Sequence, residues 1–559
     1  MITDGQSVDG AQWWKESVVY QVYPKSFNDT NGDGIGDLPG IIEKVDYLAD
    51  LGVDVIWLNP VYASPMADNG YDIADYRAIH PAFGTMDDWE RLLEELHDRD
   101  MRLIMDLVVN HTSDEHEWFI RSREGDPEYD EYYYWQDTDE RPNNWESFFG
   151  GSAWSYDETR DEYYLHLFDE KQPDLNWRNE AVRQDVFEMM RWWLEKGIDG
   201  FRMDVINLIS KTEGLPDDTV DGEMTGAEHF VSGPKFKAYL TELVTETVGN
   251  YDVMTVGEMI GVDAEEAQEY VGEDGLSMLI HFEHMGVDTG DDGKWDVATL
   301  DLLGLKRIIT DWQETLADSG WNCLYLSNHD QPRAVSRFGH DEEFRRESAK
   351  MLATFLFTLQ GTPFIYQGQE IGMTNTSFAE SSQIRDVEAR NFVENALDSD
   401  AYESYEEVRP IVESRSRDNT RTPMQWSDTR NAGFSEGEPW IGVNEDYETV
   451  NVEAARDDPE SVWHYYRDLI DLREALDVFV YGEYDLLLPD HTEVFAYRRT
   501  LADDELIVVC NFFDSELSID LPQLTGDETP ELLIGNYEDT DAPAGDIDLR
   551  PYEARIYKR

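Results

Sequence analysis

Carboxylate side chains stand at the ends of several short apolar runs in this 559-residue sequence. In the run Gly200–Asp204, Arg202 and Asp204 alternate, so on a strand both side chains project to the same side. An isolated pair of this kind is usually a surface ion pair. Other runs end in the same way, and together they supply Asp106 with Asn110 and His111, Asp204 with Arg202, Glu258, and Asp330 after Asn328 and His329. Several carboxylates at one mouth raise one another's pKa values, which is costly as structure and favours a catalytic role.

The residue types select one kind of chemistry. Three acids and two histidines, without clustered cysteines or a His-x-x-x-His spacing, do not form a convincing metal centre. No Gly-x-Ser-x-Gly elbow or Gly-x-x-x-x-Gly-Lys phosphate loop accompanies them. Two carboxylates acting as nucleophile and acid, among many Trp and Tyr residues that can stack on sugar rings, are what glycoside cleavage requires.

The elements that must position these residues alternate along the chain. Eight runs have the composition of strands: Ser17–Tyr23, Val53–Asn59, Arg102–Val108, Gly200–Asp204, Met254–Glu258, Met278–Phe282, Cys323–Asn328 and Pro363–Gly368. Helical patterns lie between many of them, at Met86–Asp100, Glu180–Lys196, Pro234–Val248, Leu302–Ala317 and Phe344–Leu359. This alternation predicts an α/β fold, a (β/α)8 TIM barrel with its site at the carboxyl ends of the strands. A doubly wound sheet is the alternative, but no Gly-x-Gly-x-x-Gly follows an early strand.

Three segments depart from this alternation. Residues 112 to about 184 are rich in Tyr, Trp, Asn and Gly with little helical period, which predicts a loop subdomain after the third strand. Residues 374–440 have a similar character. After a last helix the pattern changes to alternating strands, which predicts a C-terminal antiparallel β domain. The elements concerned are the helix Ser461–Ala475 and the strands Glu493–Arg499, Glu505–Phe512 and Glu553–Tyr557. We therefore expect a barrel from 1–111 and 184–480, an inserted subdomain at 112–183 and a β domain at 481–559.

The charge of the chain is its most unusual property. Asp and Glu number 121 against 44 Lys and Arg, which gives a formal net charge of −77. The excess is spread over the whole length, and only 12 of the basic residues are lysines. Such a charge repels nucleic acid and anionic membranes, which excludes both as partners. At about 1 M ionic strength the screening length is roughly 3 Å and self-repulsion is muted, so we expect a halophilic setting.

We expect a monomer or small homo-oligomer that is cytoplasmic. The first residues are polar and acidic, and no long uncharged apolar run follows, so neither a signal peptide nor a membrane span is predicted. The two cysteines, Cys323 and Cys510, are far apart in sequence. They fit a reducing compartment better than a disulfide framework.

Several motifs in a fixed order resemble those of one known family. Four runs are similar to the signature regions of the α-amylase superfamily of glycoside hydrolases: Asp106–His111, Gly200–Val205, Val256–Glu258 and Asn328–Asp330. Gln172–Asn176 resembles the additional motif of its oligo-1,6-glucosidase and α-glucosidase branch. The resemblance extends to Arg421–Trp426 and covers nearly the whole chain.

The resemblance implies a role for each acid. Asp204 would be the nucleophile that forms a covalent β-glucosyl enzyme, and Glu258 would protonate the leaving oxygen and then activate water. Asp330 would bind the distorted ring and stabilise positive charge. The outcome is retention of configuration, which calls for about 5–5.5 Å between the carboxyl groups of Asp204 and Glu258. Arg202 beside the nucleophile should keep Asp204 ionised.

The resemblance also implies a sugar pocket that is closed at one end. Two histidines would hydrogen-bond sugar hydroxyls, an Asp–Arg pair would grip the non-reducing end, a tyrosine would stack on the ring, and further residues would line the pocket. These are His111 and His329, Asp68 and Arg421, Tyr71, and Phe168, Gln172, Arg202 and Val205. Such a pocket makes the enzyme exo-acting on oligosaccharides, so that it releases one glucose at a time.

Val205, which follows the nucleophile, bears on linkage. Within the branch, Val at this position resembles enzymes that cut α-1,6 bonds, whereas α-1,4-specific enzymes tend to carry Ala or Thr. We therefore expect isomaltose-type substrates to be favoured over or alongside maltose-type ones. The chain departs from the branch pattern at Ile260 and Gln369.

Two alternatives remain open from the sequence. A glucosyl transferase or sucrose isomerase shares the fold, and the choice depends on loops around Phe282–Met285 and Ser377–Arg390. A catalytically dead relative that serves as a transporter subunit or binding module is a different class of protein. The three acids argue against it, as does the lack of an anchor in the sequence.

A polar loop after the first strand offers oxygen ligands at alternating positions, as an EF-hand loop does. The twelfth position is Gly40 rather than a glutamate, so an EF-hand is not expected. The run resembles the Ca²⁺-binding loop of the oligo-1,6-glucosidase branch, which implies a structural metal. The ligands would be Asp29, Asn31, Asp33, the carbonyl of Ile35, and Asp37. Mg²⁺ and a metal-free Asp/Asn/Gly turn are the alternatives.

Overall fold

A closed barrel of parallel strands organises the chain. The computed structural model describes residues 12–219, 224–272, 275–291, 293–399, 401–521, 530–540 and 546–559. The barrel strands are β1 (Val19–Val22), β2 (Val55–Leu58), β3 (Arg102–Val108), β4 (Gly200–Asp204), β5 (Met254–Glu258), β6 (Met278–Ile280), β7 (Cys323–Leu324) and β8 (Thr362–Tyr366). Their order in the sheet is β6-β5-β4-β3-β2-β1-β8-β7, and a parallel bridge from Leu279 to Asn322 closes the ring. The predicted barrel is confirmed, although β7 is shorter than the predicted Cys323–Asn328.

The register of the central strands places the polar residues side by side. Asp106 of β3 pairs with Arg202 of β4, and Arg202 pairs with Val256 of β5. Every residue of β4 is buried. Gly200 has a φ of 153°, and a Cβ atom there would lie 2.0 Å from the carbonyl oxygen of Met254, so only glycine allows this approach of β4 to β5.

Helices surround the barrel as an outer layer. The longer ones are Met86–His97, Glu180–Lys196, Phe236–Glu246, Leu302–Leu316, Arg345–Thr358 and Val462–Ala475, and shorter ones include Trp13–Glu16, Leu38–Glu43, Val45–Leu51, Ala334–Phe338, Val452–Asp457 and Asp477–Tyr481. The helix Met86–His97 begins at a capping box between Thr85 and Asp88. Among the described residues, no helix has the length and apolar character needed to cross a bilayer.

The segment after β3 forms a small antiparallel unit. It contains the helix Glu117–Arg123 and three strands, Trp135–Gln136, Trp154–Asp157 and Glu162–Leu165. An antiparallel bridge from His111 to Asp174 ties its return path to the end of β3. This bridge brings residues of the insertion to the mouth of the barrel.

The segment after β8 is more helical than predicted. Residues 374–440 were expected to show little helical period, and this is wrong, because helices span Val387–Asp398 and Tyr405–Arg415. Ala389, Val393 and Ala396 recur at helical spacing and are buried. Polar residues between them hide this period in the sequence.

The C-terminal part is an antiparallel β domain, as predicted. Its main sheet contains Glu483–Leu487, Val494–Leu501, Asp504–Asn511, Ala554–Lys558 and Glu531–Gly535, in that order, and Leu517–Ile519 pairs with Ile547–Leu549. The domain packs on the barrel helix Arg345–Thr358, where the rings of Phe355 and Phe495 are 5.1 Å apart. Cys323 and Cys510 are both buried and free.

Candidate active site

One buried arginine joins three carboxylates at the carboxyl ends of β3, β4 and β5. Arg202 Nη1 donates to Asp106 Oδ1 and to Asp204 Oδ1, each at 2.7 Å. Arg202 Nη2 lies 2.7 Å from Glu258 Oε1. The arginine side chain is fully buried, and it neutralises only one of the three negative charges.

This charge balance decides how the acids ionise. Burial raises the pKa of Asp204 well above its ordinary value, and the charges of Glu258 and Asp106 add to this, while Arg202 opposes it. The expectation that Arg202 keeps Asp204 ionised is therefore incomplete, because the guanidinium is shared. Retaining cleavage requires one carboxylate and one carboxylic acid at such a pair.

The residue after Asp204 has an unusual backbone. Val205 adopts φ 36° and ψ 41°, a left-handed conformation that is rare for a β-branched residue. Its N–H donates to Glu258 Oε2 at 3.1 Å. The strained peptide thus links the strand end that carries Asp204 to the other carboxyl group of the pair.

Asp106 is a buried anchor for this group. Its Oδ2 accepts hydrogen bonds from Trp57 Nε1 at 2.8 Å and Asn59 Nδ2 at 3.3 Å. Tyr71 OH lies 3.4 Å from the same oxygen and accepts from Asn59 Nδ2 at 2.6 Å. Neighbouring strands therefore hold Asp106, and through it Arg202, in one orientation.

The third acid is held ionised. Arg421 Nη2 donates to Asp330 Oδ1 at 2.7 Å, Arg417 Nη1 to the same oxygen at 3.3 Å, and His329 Nε2 lies 2.8 Å from Oδ2. Burial would raise the pKa of Asp330, but these three groups hold it well below the ordinary value. Asp330 is thus a fixed negative charge.

His329 forms part of the pocket floor. Its ring stacks on Tyr71 with a centroid distance of 5.2 Å and an interplanar angle of 7°. Gln21 Nε2 lies 2.8 Å from His329 Nδ1, and an amide there donates. Nε2 therefore carries the hydrogen that faces Asp330.

The residues predicted to grip the far end of the sugar come from separate segments. Gln172 Nε2 donates to Asp68 Oδ2 at 3.2 Å and lies 3.2 Å from His111 Nε2. Burial raises the pKa of Asp68 to about 6 and lowers that of His111 to about 4. The ring of Phe168 lies 5.2 Å from that of His111. His111 is therefore a neutral hydrogen-bonding group in this wall.

Arg417 is the main site residue that sequence reasoning missed. Arg417 Nη2 donates to the buried Asp386 at 2.6 Å and lies 4.0 Å from Asp68. Arg421, which was expected to grip the sugar together with Asp68, donates to Asp330. A cluster of three arginines within residues 415–421 of a strongly acidic chain was the available signal.

The loop after β1 has the donors of a cation site. Asp29 Oδ1 accepts from the N–H groups of Asn31 and Gly32, and Asn31 and Asp33 accept from the N–H two residues on, Asp33 and Ile35. The side chains along the loop offer oxygen atoms as ligands, and oxygen ligands suit a hard cation such as Ca²⁺. Burial raises the pKa of Asp37. Hydrogen bonds to its carboxylate act against this rise, and the negative charge of Asp29 adds to it. The carboxylates of Asp29 and Asp37 already accept hydrogen bonds from backbone N–H groups of the loop.

Fold and site together define a class of protein. A parallel eight-stranded barrel with two carboxyl groups that share one arginine and a third ionised acid at the strand ends is a scaffold for glycoside hydrolysis. A family model described as the catalytic domain of alpha amylase matches residues 21–482, and one described as the C-terminal domain of maltogenic amylase matches residues 484–556. The chain belongs to the alpha-amylase family of glycoside hydrolases.

Individual proteins of known identity are similar over nearly their whole length. An oligo-1,6-glucosidase of Bacillus cereus is 55% identical over 554 residues, covering 98% of this chain and 99% of that protein. The structure of the trehalose-6-phosphate hydrolase of Bacillus licheniformis has a TM-score of 0.93 and 47% identity, covering 98% and 100% of the two chains. That of the isomaltulose synthase of Klebsiella sp. LX3 has a TM-score of 0.95 and 42% identity, with the same coverage.

Proposed function

We infer that the protein is an exo-acting, retaining α-glucosidase that hydrolyses terminal non-reducing α-glucosidic bonds of short oligosaccharides. The observation that carries this inference is the single guanidinium of Arg202 shared by Asp106, Asp204 and Glu258. It holds the two carboxyl groups that retaining cleavage requires beside one cation. The oligo-1,6-glucosidase similarity supports the substrate class.

In the first step, the Asp204 carboxylate attacks the anomeric carbon while Glu258 gives its proton to the glycosidic oxygen. The bond from the anomeric carbon to that oxygen breaks, and the leaving sugar departs as an alcohol. The ionised Asp330 stabilises the positive charge on the ring in the transition state. The Val205 N–H, which points at Glu258 Oε2, stabilises the carboxylate that Glu258 becomes.

In the second step, the Glu258 carboxylate takes a proton from water as the water oxygen attacks the anomeric carbon. The ester bond to Asp204 breaks, which restores both starting charge states. Two displacements give retention of configuration. The product is glucose in the α form.

Exo action follows from the closed end of the pocket. Asp68 and Gln172 are buried, and their side chains hydrogen-bond each other beneath His111. A further sugar on the non-reducing side would have to displace this wall. We propose that these groups hold the terminal hydroxyls.

The preference for α-1,6 over α-1,4 linkages rests on Val205. Its side chain is buried in a cluster with Phe168 and Ile260, beside the acid and the nucleophile. A branched side chain narrows the space available to the leaving sugar. We propose isomaltose as a better substrate than maltose.

The deciding experiment compares isomaltose, maltose and sucrose at high salt. We expect α-glucose as the first product, identified by NMR before mutarotation, and a higher kcat/KM for isomaltose. β-Glucose as the first product would contradict the retaining mechanism. Isomaltulose formed from sucrose would indicate a sucrose isomerase, the activity named for one structural relative.

Two further properties belong to this proposal. The loop Asp29–Asp37 would hold Ca²⁺ as a structural ion, without touching the reacting atoms. The net charge of −77 supports operation in concentrated salt. Unchanged folding and activity after dialysis from molar KCl into dilute buffer would contradict the halophilic proposal.

A further inference from the structure

Two contacts at the mouth of the site join segments that are distant in sequence. The rings of Trp295 and Phe392 stack with a centroid distance of 4.3 Å and an interplanar angle of 4°. Beside them, Lys294 Nζ donates to Glu388 Oε2 at 2.5 Å. Lys294 and Trp295 follow β6, whereas Glu388 and Phe392 lie on the helix Val387–Asp398. All four side chains are half-buried.

Both sides of this contact are held firmly. Asp288, which precedes the Lys294–Trp295 pair, is buried and accepts from Arg415 Nη1 at 2.7 Å and Arg337 Nη2 at 2.8 Å. Arg415 ends the helix Tyr405–Arg415, which packs against the helix that carries Phe392. The stack is therefore a contact between two anchored elements.

The contact continues into the catalytic pocket. Glu388 Oε2 lies 3.6 Å from Arg417 Nε, and Arg417 contacts Asp330. On the other side, Asn391 Nδ2 donates to the carbonyl oxygen of Phe149 at 3.0 Å. The guanidinium of Arg417 lies 5.2 Å from the Phe149 ring. Arg417 is therefore close both to Glu388 and to the residue that Asn391 contacts.

The three acids differ in exposure to solvent. The side chain of Asp330 is 30% exposed, whereas those of Asp204 and Glu258 are 10% and 8% exposed. Asp330 is therefore the acid nearest to solvent, whereas Asp68 and Gln172 are buried. This difference favours an exit for the leaving sugar on the Asp330 side.

We propose that Lys294, Trp295, Glu388 and Phe392 form an exit clamp that favours a leaving group of one sugar unit over longer ones. This inference rests on the proposed glucosidase function and names its chain-length determinant. Glu388 of the clamp contacts Arg417, which in turn contacts Asp330. A first leaving sugar therefore contacts Arg417 and Phe149, before the clamp. A second one meets the closed Trp295–Phe392 stack.

The test compares kcat/KM for isomaltotriose and isomaltose in Trp295→Ala, Phe392→Ala and the double variant. We expect the ratio of isomaltotriose to isomaltose to rise roughly tenfold in each single variant. The double variant should gain little more, because both changes remove the same stack. Lys294→Met should raise the ratio less, since it leaves the rings in place.

A matched control is Trp192→Ala. Trp192 is also half-buried with a lysine over its ring, Lys196 at 4.9 Å, but lies on the outer helix Glu180–Lys196. The ratio of isomaltotriose to isomaltose in Trp192→Ala should equal that of the unchanged protein. Melting curves identify any variant that does not fold, and the remaining single variants then decide.

The clamp is overturned if the ratio in the folded variants stays within about twofold of the unchanged protein. An unchanged protein that cleaves neither sugar overturns the glucosidase function, and the clamp with it. The two failures are therefore distinguishable.

Discussion

Arg202 Nη1 donates to Asp204 Oδ1 at 2.7 Å, and the same nitrogen donates to Asp106. The guanidinium is fully buried. Its charge opposes the burial that raises the pKa of Asp204. The ionisation of the nucleophile thus depends on a group that never leaves the protein interior.

Arg202→Lys should move the acidic limb of the pH profile to higher pH. A lysine keeps the charge but cannot reach three carboxylates, so the pKa of Asp204 rises further and activity is lost at a higher pH as the solution is acidified. We expect kcat to fall about 10²-fold or more. The measurement is kcat/KM against pH. Arg77→Lys, on an exposed pair with Glu188, serves as the control. An unshifted acidic limb would show that Arg202 does not govern the nucleophile.

Asp204→Ala should abolish turnover while the fold remains. Without the nucleophile no ester can form, and we expect a loss of about 10⁴-fold or more in kcat. Added azide should restore cleavage of an activated glucoside and give the β-glucosyl azide, because azide attacks the face that Asp204 has vacated. Asp75→Asn, a change at an exposed position, should retain full activity. Retained activity in Asp204→Ala would remove the assignment.

Val205→Ala should shift the specificity ratio towards maltose. The smaller side chain widens the space beside the leaving sugar, so kcat/KM for maltose rises relative to isomaltose. The measurement is the ratio of the two values at one salt concentration. Val231→Ala removes the same atoms from the same hydrophobic cluster and should leave the ratio unchanged. An equal ratio in both variants would contradict the linkage argument but not the mechanism.

Removal of divalent cations should lower the melting temperature. An ion that binds only the folded state stabilises it in proportion to the logarithm of its free concentration. We expect EDTA to lower Tm, and Ca²⁺ to restore it more effectively than Mg²⁺. Asp29→Asn should make Tm insensitive to both, whereas Asp98→Asn should behave as the unchanged protein. A calcium-independent Tm in the unchanged protein would favour the metal-free turn.

Glu370→Gln should become more favourable to stability as pH rises. Glu370 is fully buried and accepts from Tyr20 and Tyr47 at 2.8 and 2.6 Å, and burial raises its pKa. A raised carboxyl pKa means that the folded state binds more protons than the unfolded state, so stability falls as pH rises through that window. Glutamine does not ionise and escapes this loss.

The measurement for Glu370→Gln is the difference in Tm from the unchanged protein at about pH 5 and about pH 8. Glutamine also places an amide where Glu370 Oε2 has no hydrogen-bond partner. This lowers the stability of the folded state by the same amount at both pH values. The exposed Glu158→Gln serves as the control. A difference that is the same at both pH values would mean that the pKa of Glu370 in the folded state is not raised above its value in the unfolded state.

The strand ends could be predicted because their signal is local. The predicted bounds of β3, β4 and β5 agree with the structure, since each is an apolar run that stops at or just before a polar turn. The fold class follows from this alternation. The end of β7 was less predictable, because the run Cys323–Asn328 remains buried after its strand pairing ends at Leu324.

The network around Arg417 could not be predicted, because its members are distant from one another in sequence. Its carboxylate partners Asp68, Asp330 and Asp386 come from three segments that the chain brings together only in the folded barrel. No spacing in the sequence records such a meeting. The same holds for the Trp295–Phe392 stack, which joins residues almost a hundred positions apart.

The shared guanidinium also constrains how this protein can change over generations. Replacing Asp106, Asp204 or Glu258 alone alters the charge felt by the other two through Arg202, so a useful substitution at one of them needs a second that compensates. Trp295 and Phe392 contact each other, and a change at either leaves the charges of the three acids unaltered. New substrate preferences should therefore arise at the mouth of the barrel, while the acids at its centre are inherited as a unit.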